Sequence, residues 1–167
     1  DYDIYVMSPD GSFLTKLTRS TNDDRYPRWS PDGSKIAYCT KQGDKWNICV
    51  MNADGTGSKV LTESLYNDEY PAWSPDGKKL VFTSDRLKGH EIHVMDAATG
   101  ENMVTLTSDN YYQQYPDWSP DGAYITHSAW HAGSFDIYRI MAGGGGLELV
   151  VDGRGNQMFP RYSPQGD

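Results

Sequence analysis

Short apolar runs separated by turn-forming clusters run the length of the chain. Ile36-Ala37-Tyr38-Cys39 and Ile48-Cys49-Val50-Met51 are apolar at successive positions, and Gly or Pro interrupts the sequence at roughly ten-residue intervals. Runs this short, rich in β-branched and aromatic residues, predict strands rather than helices. A strand apolar at every position is covered on both faces, whereas a sheet with one wet face would alternate.

The pattern repeats. Trp29, Trp73, Trp118 and Tyr162 stand 44, 45 and 44 residues apart, within "YPRWSPDG", "YPAWSPDG", "YPDWSPDG" and "FPRYSPQG". "DIYVM", "NICVM", "EIHVM" and "DIYRI" keep the same period, and Leu17, Leu61 and Leu106 each precede the next Trp by 12 residues. The one-residue difference falls in "DAATGEN" (96–102), a turn that tolerates insertion.

A period of about 44 residues fits either paired helices or four-stranded propeller blades, and the strand-like runs decide for blades. One unit reads as strand A ("YPAWS"), B ("KKLVFTS"), C ("HEIHVM") and D ("KVLT" or "MVTLT"), with "SPDG" joining A to B and "NADGTG" joining C to D. Pro presets the turn, Asp bonds its own backbone and Gly accepts positive φ, so these are tight hairpins. The predicted fold is all-β: a β-propeller of four-stranded antiparallel blades, three complete and one split. Residues 1–22 supply strands C and D of a partial blade, 23–66, 67–111 and 112–155 are blades, and 156–167 start a further or closing one. An open stack leaves apolar faces exposed, which favours a larger ring of six to eight blades over a four-bladed closure.

The paired signatures "YP-x-WSPDG-x-KIA(Y/F)" and "(D/E)IYVM-x-(A/P)DG-x-x-x-x-LT" resemble the TolB-like, or WD40-like, propeller repeats of bacterial envelope and secreted proteins. The Gly-His and Trp-Asp pairs that mark each true WD40 repeat do not recur here: Trp-Asp is missing and Gly-His stands once, at Gly89-His90. The resemblance implies a periplasmic or secreted location. It is less informative about activity, since family members dock periplasmic lipoprotein and colicin partners, gate prolyl-oligopeptidase-type enzymes, or act as polysaccharide lyases.

Composition narrows the partners. A net charge of −8 disfavours nucleic acid and anionic membrane surfaces. No apolar run reaches the 18 residues of a membrane span. A basic or neutral protein, a glycan, a cation or a polar small ligand fits better.

Propellers of this type place strand A at the central channel, and their D–A and B–C loops share one face. The D–A loops differ among the copies and form the candidate binding surface. They carry Asp23, Asp24, Asp68 and Glu69, the fork-shaped donors Arg25 and Arg154, the flat contacts Tyr66, Tyr111 and Tyr112, and Gln114. The B–C loops add Trp130, His131 and His90. The competing reading is an ordinary solvated loop surface.

No cofactor is expected. "NDD" and "NDE" offer oxygens for calcium, but no Asp-x-Asp-x-Asp-Gly loop is present. His93 aligns with Cys49 and Tyr138, and His127 with Tyr38 and Phe82, so both read as satisfied core residues. His90 and His93, three apart on a strand, face opposite ways and make a poor zinc pair. Cys39 and Cys49 flank the Gly43-Asp44 turn, where a cross-strand disulfide competes with two small buried hydrophobes. Neither G-x-S-x-G nor H-E-x-x-H occurs. The expected function is a non-catalytic binding propeller; the alternative is the propeller portion of a larger enzyme, a prolyl-oligopeptidase-type peptidase or a polysaccharide lyase.

Overall fold

A computed structural model describes residues 1–109 and 111–166. The described residues hold fourteen strands and no helix. β1 (Tyr5–Val6) and β2 (Thr15–Lys16) form a two-stranded hairpin. The first blade is β3 (Asp24–Trp29), β4 (Lys35–Gln42), β5 (Lys45–Asn52) and β6 (Lys59–Val60). The second is β7 (Asp68–Trp73), β8 (Lys79–Ser84), β9 (Glu91–Asp96) and β10 (Val104–Thr105), and the third is β11 (Tyr112–Trp118), β12 (Tyr124–His131), β13 (Ser134–Met141) and β14 (Glu148–Val151). Each is a four-stranded antiparallel sheet in sequence order, so the propeller reading holds.

The repeated residues build the blades. In "SPDG", Ser30 Oγ donates to Asp32 Oδ1 at 2.6 Å and accepts the Lys35 amide at 2.9 Å, while Gly33 sits at φ +70°. Ser74-Asp76 and Ser119-Asp121 repeat the arrangement at 2.7 and 2.6 Å. The "LT" threonine is a latch on strand C: Thr18, Thr62 and Thr107 hydroxyls accept the amides of Ile4, Ile48 and Ile92 at 2.9, 2.8 and 3.0 Å. In the third blade Val151 stands at the equivalent position and pairs through its backbone with Ile137.

The core lies between blades. Ala37, Cys39, Ile48 and Val50 of the first pack on Leu80, Phe82, Met95 and Ala97 of the second. Ala72, Val81, Ile92 and Val94 of the second pack on Trp118, Ile125 and Ile140 of the third. Ile4 and Leu17, beside β1 and β2, cover Ile36, Tyr38, Cys49 and Met51. At the two ends of the stack Phe13, Leu14, Leu149 and Val150 are exposed.

Strand A begins earlier than the sequence reading places it. Asp24, Arg25, Asp68, Glu69, Tyr112 and Gln114 belong to strands, not D–A loops, and Asp24, Asp68 and Gln114 are buried. The cause is a β-bulge at each Tyr-Pro pair, which lets the strand continue past the proline. Trp130 and His131 likewise end β12 rather than lie in a B–C loop, because the tight β12–β13 hairpin pairs them with Phe135 and Ser134.

The cysteines are both free and buried. The tight turn pairs Gln42 with Lys45, so Cys39 stands opposite Ile48 and Cys49 opposite Tyr38. That one-residue offset sends the two thiols to opposite faces, into different inter-blade clusters. His93 and His127 are core residues as expected, but His93 is satisfied at one nitrogen and His127 at neither. His93 Nδ1 lies 3.1 Å from the Thr105 hydroxyl, whereas neither ring nitrogen of His127 has a partner among the described residues.

Candidate functional site

The residues before the repeated prolines meet where the first strands of successive blades, β3, β7 and β11, pack together. Tyr26, Tyr70, Tyr115 and Phe159 have φ of 58, 58, 56 and 61°. A bulky residue in the left-handed region costs about 1–3 kcal/mol, and such strain persists only where the surroundings enforce it. Here they form a file of tilted rings, with centroids 4.6, 4.4 and 4.1 Å apart from one blade to the next. With Arg28, Arg161, Pro71 and Pro116 they line a recess of about 230 Å³. Asp117 binds Arg161 at 3.2 Å, and burial pushes its carboxyl up to about 6.

One residue before each ring, the copies diverge into Arg25, Glu69 and Gln114. Arg25 bonds Asp23 at 3.0 Å and lies 3.9 Å over the Tyr2 ring. Asp23 is held below the usual carboxylate range by the Tyr2 amide and then by Arg25. Glu69 is pushed up to about 6, first by burial and then by the neighbouring Asp85 charge. Gln114 donates to the Tyr112 hydroxyl at 3.0 Å and to the Tyr70 hydroxyl at 3.5 Å.

The D–A and B–C loops do share a face. The Asn67 amide and side chain both bond the Asp85 carboxylate at 2.7 Å, and Asn67 Oδ1 accepts the Trp46 amide of the preceding blade at 3.2 Å. On this face Tyr112 lies 4.0 Å from His90 and 6.2 Å from Phe135, and Trp130 lies 5.2 Å from Phe135. Tyr111 and His131 make a second pair at 4.8 Å. Tyr112 and Trp130 are 40% and 44% exposed, so the cluster presents ring surface to solvent.

Other expected site residues sit elsewhere. Asp68 is fully buried, bonded to Arg86 and to the Ser64 hydroxyl, each at 2.9 Å, and Tyr66 lies 6.0 Å from the same guanidinium. Arg154 is exposed and offers its carbonyl to Gln157 at 3.5 Å. Among the described residues no group of three or more His, Cys, Asp or Glu side chains is placed to hold a metal. Phe135 and the channel rings were not singled out as site residues by the sequence, although a Tyr-Pro pair in register in every blade was their signal.

A family model for the TolB beta propeller domain matches residues 24–167. The chain belongs to that family. A TolB homolog of Chlorobium luteolum (strain DSM 273 / BCRC 81028 / 2530) is 47% identical over 38 residues, 23% of this chain and 9% of that protein. A structure from Agrobacterium tumefaciens described as TolB is 26% identical with a TM-score of 0.85, covering 99% of this chain and 67% of that one. TolB of Acinetobacter baumannii gives the same identity and TM-score over 97% of this chain and 40% of its own. This TolB-family chain therefore spans from a small part to two thirds of these relatives. Propellers of enzymes, among them an oligogalacturonate lyase at 18% identity and TM-score 0.69, share the fold alone.

Proposed function

We propose that this chain is a non-catalytic docking module that captures a polypeptide partner on the face bearing the D–A and B–C loops. The observation that supports this reading is the half-exposed cluster of Tyr112, His90, Phe135 and Trp130 beside the channel mouth. Rigid aromatic side chains supply contact area at little conformational cost and dominate interface energetics. Neighbouring carboxylates, Glu69 and Asp85, and the net charge of −8 favour a partner segment of basic or neutral character. By analogy with TolB proteins the module works in the bacterial envelope, in the periplasm or outside the cell.

Panning a displayed random peptide library on the protein tests the reading. Recovered peptides should carry basic and apolar residues and lose at least tenfold in affinity for Tyr112→Ala and Trp130→Ala. Peptides that bind both variants as well as the original protein would place the docking surface elsewhere. Selective retention on polysaccharide, with no peptide recovered, would replace the polypeptide by a glycan.

A further inference from the structure

The first and second blades handle the same buried carboxylate differently. Asp68 and Asp24 occupy equivalent positions five residues before Trp73 and Trp29, and they are 0% and 3% exposed. In the second blade Arg86 reaches Asp68 at 2.9 Å, is braced by the Ser84 hydroxyl at 2.8 Å, and contacts Met103 Sδ. The carboxylate is thereby neutralised inside the protein. In the first blade the position of Arg86 is held by Gln42, that of Met103 by Ser58, and that of Tyr66 by Asn22. Each replacement is smaller, and the only cation of the set is lost.

The space so vacated is open. Asp24, Tyr38, Thr40, Gln42, Ser58 and Asn22 line a groove of about 540 Å³ between the β1–β2 hairpin and the first blade. Asp24 Oδ2 accepts a long bond from Ser20 at 3.5 Å, while the buried Oδ1 has no partner among the described residues. A buried carboxylate without a cation or a full set of donors is costly. The other charged groups lining the groove do not serve it: Lys16 is paired with Asp3 at 2.7 Å, Asp54 is held by Thr56 at 2.6 Å, and Arg19 is exposed.

We propose that this groove is a binding site for a guanidinium group brought by a ligand, which takes the place that Arg86 fills in the neighbouring blade. Asp24 would accept its fork of donors, and Gln42, Thr40 and the Tyr38 ring edge would frame it. The source is either an arginine side chain of a bound polypeptide or a free alkylguanidine. The site is distinct from the aromatic cluster at Tyr112 and does not depend on it.

Titration of the protein with N-acetyl-arginine amide, N-acetyl-lysine amide and ethylguanidine, followed by amide NMR, tests the assignment. The blocked arginine should give saturable shifts at residues 24, 40 and 42 and bind at least tenfold more tightly than the blocked lysine. Asp24→Asn should abolish the response. Gln42→Arg should also abolish it while raising the melting temperature, because it rebuilds the arrangement of the second blade from within; this variant keeps the test decisive if Asp24→Asn folds poorly. Ethylguanidine binding as tightly as the blocked arginine would identify the source as a small molecule, and much weaker binding a side chain. No saturable shift, equal binding of lysine, or undiminished binding by Gln42→Arg would overturn the proposal.

Discussion

The indole N–H of Trp73 donates to the backbone carbonyl of Arg28 at 3.0 Å, tying the second blade to the first. The equivalent Trp118 is only 8% exposed, yet its indole nitrogen has no partner among the described residues. One sequence motif therefore carries two energetic situations. Replacing the indole by the isosteric benzothiophene removes the donor and keeps the ring. At position 73 this should destabilise by about 1 kcal/mol, the net value of a hydrogen bond. At position 118 it should be neutral or stabilising, because a buried unpaired donor disappears. Urea unfolding of the two substituted proteins checks the contrast, and equal losses at both positions would contradict it.

Much of the blade was readable because its determinants are local. The Ser-Pro-Asp-Gly turn closes on itself within five residues, and the Leu-Thr latch reaches only to the neighbouring strand. The channel was not readable for the opposite reason. Tyr70 adopts φ +58° immediately before Pro71, against its local preference, and only the bulge and the rings of adjacent blades hold it there. Asp68 looked like a solvated loop carboxylate because its partner, Arg86, comes 18 residues later. Loop divergence singles out one face, and the aromatic contacts that assemble on it required the fold.

His127 makes stability depend on pH. Burial pushes its imidazole down to about 4, while the unfolded side chain titrates near 6.5. Between these values the unfolded chain holds the extra proton, so stability falls as pH falls. The contribution at pH 5 amounts to a loss of about 2 kcal/mol relative to pH 8. His93, also pushed down to about 4 by burial and then by the Arg86 charge, acts in the same sense, while Glu69 and Asp117, both raised to about 6, act in the opposite one, so the whole-protein profile does not report this one group. His127→Phe, which copies Phe82 of the second blade, isolates it: the variant should gain about 2 kcal/mol on the parent between pH 8 and pH 5. A difference independent of pH would remove His127 as the cause.

The thiols should be silent in the native protein. Cys39 is fully buried with its thiol pushed well up by desolvation, and Cys49 is pushed up to about 12 by the same cause. Only thiolate reacts with a disulfide reagent, so native labelling at pH 8 should be limited by unfolding. In denaturant without reductant two thiols should titrate rapidly, since their strand faces are opposite. Fewer than two would mean an oxidised pair and a different strand register.

Glu69 links partner capture to acidity. Burial and then the Asp85 charge hold its carboxyl near 6, so it carries its charge at pH 7.5 and has mostly lost it at pH 5. A basic peptide docked beside it stabilises the charged form and must therefore bind less tightly as the pH falls. If only the carboxylate form binds, affinity drops up to about tenfold between pH 7.5 and pH 5. Glu69→Gln should bind at pH 7.5 no more tightly than the parent does at pH 5, with a flat profile between. Calorimetry with a peptide recovered by panning reads both values. A parent profile that stays level, with Glu69→Gln unchanged from it, would put the basic end of the peptide away from the channel mouth.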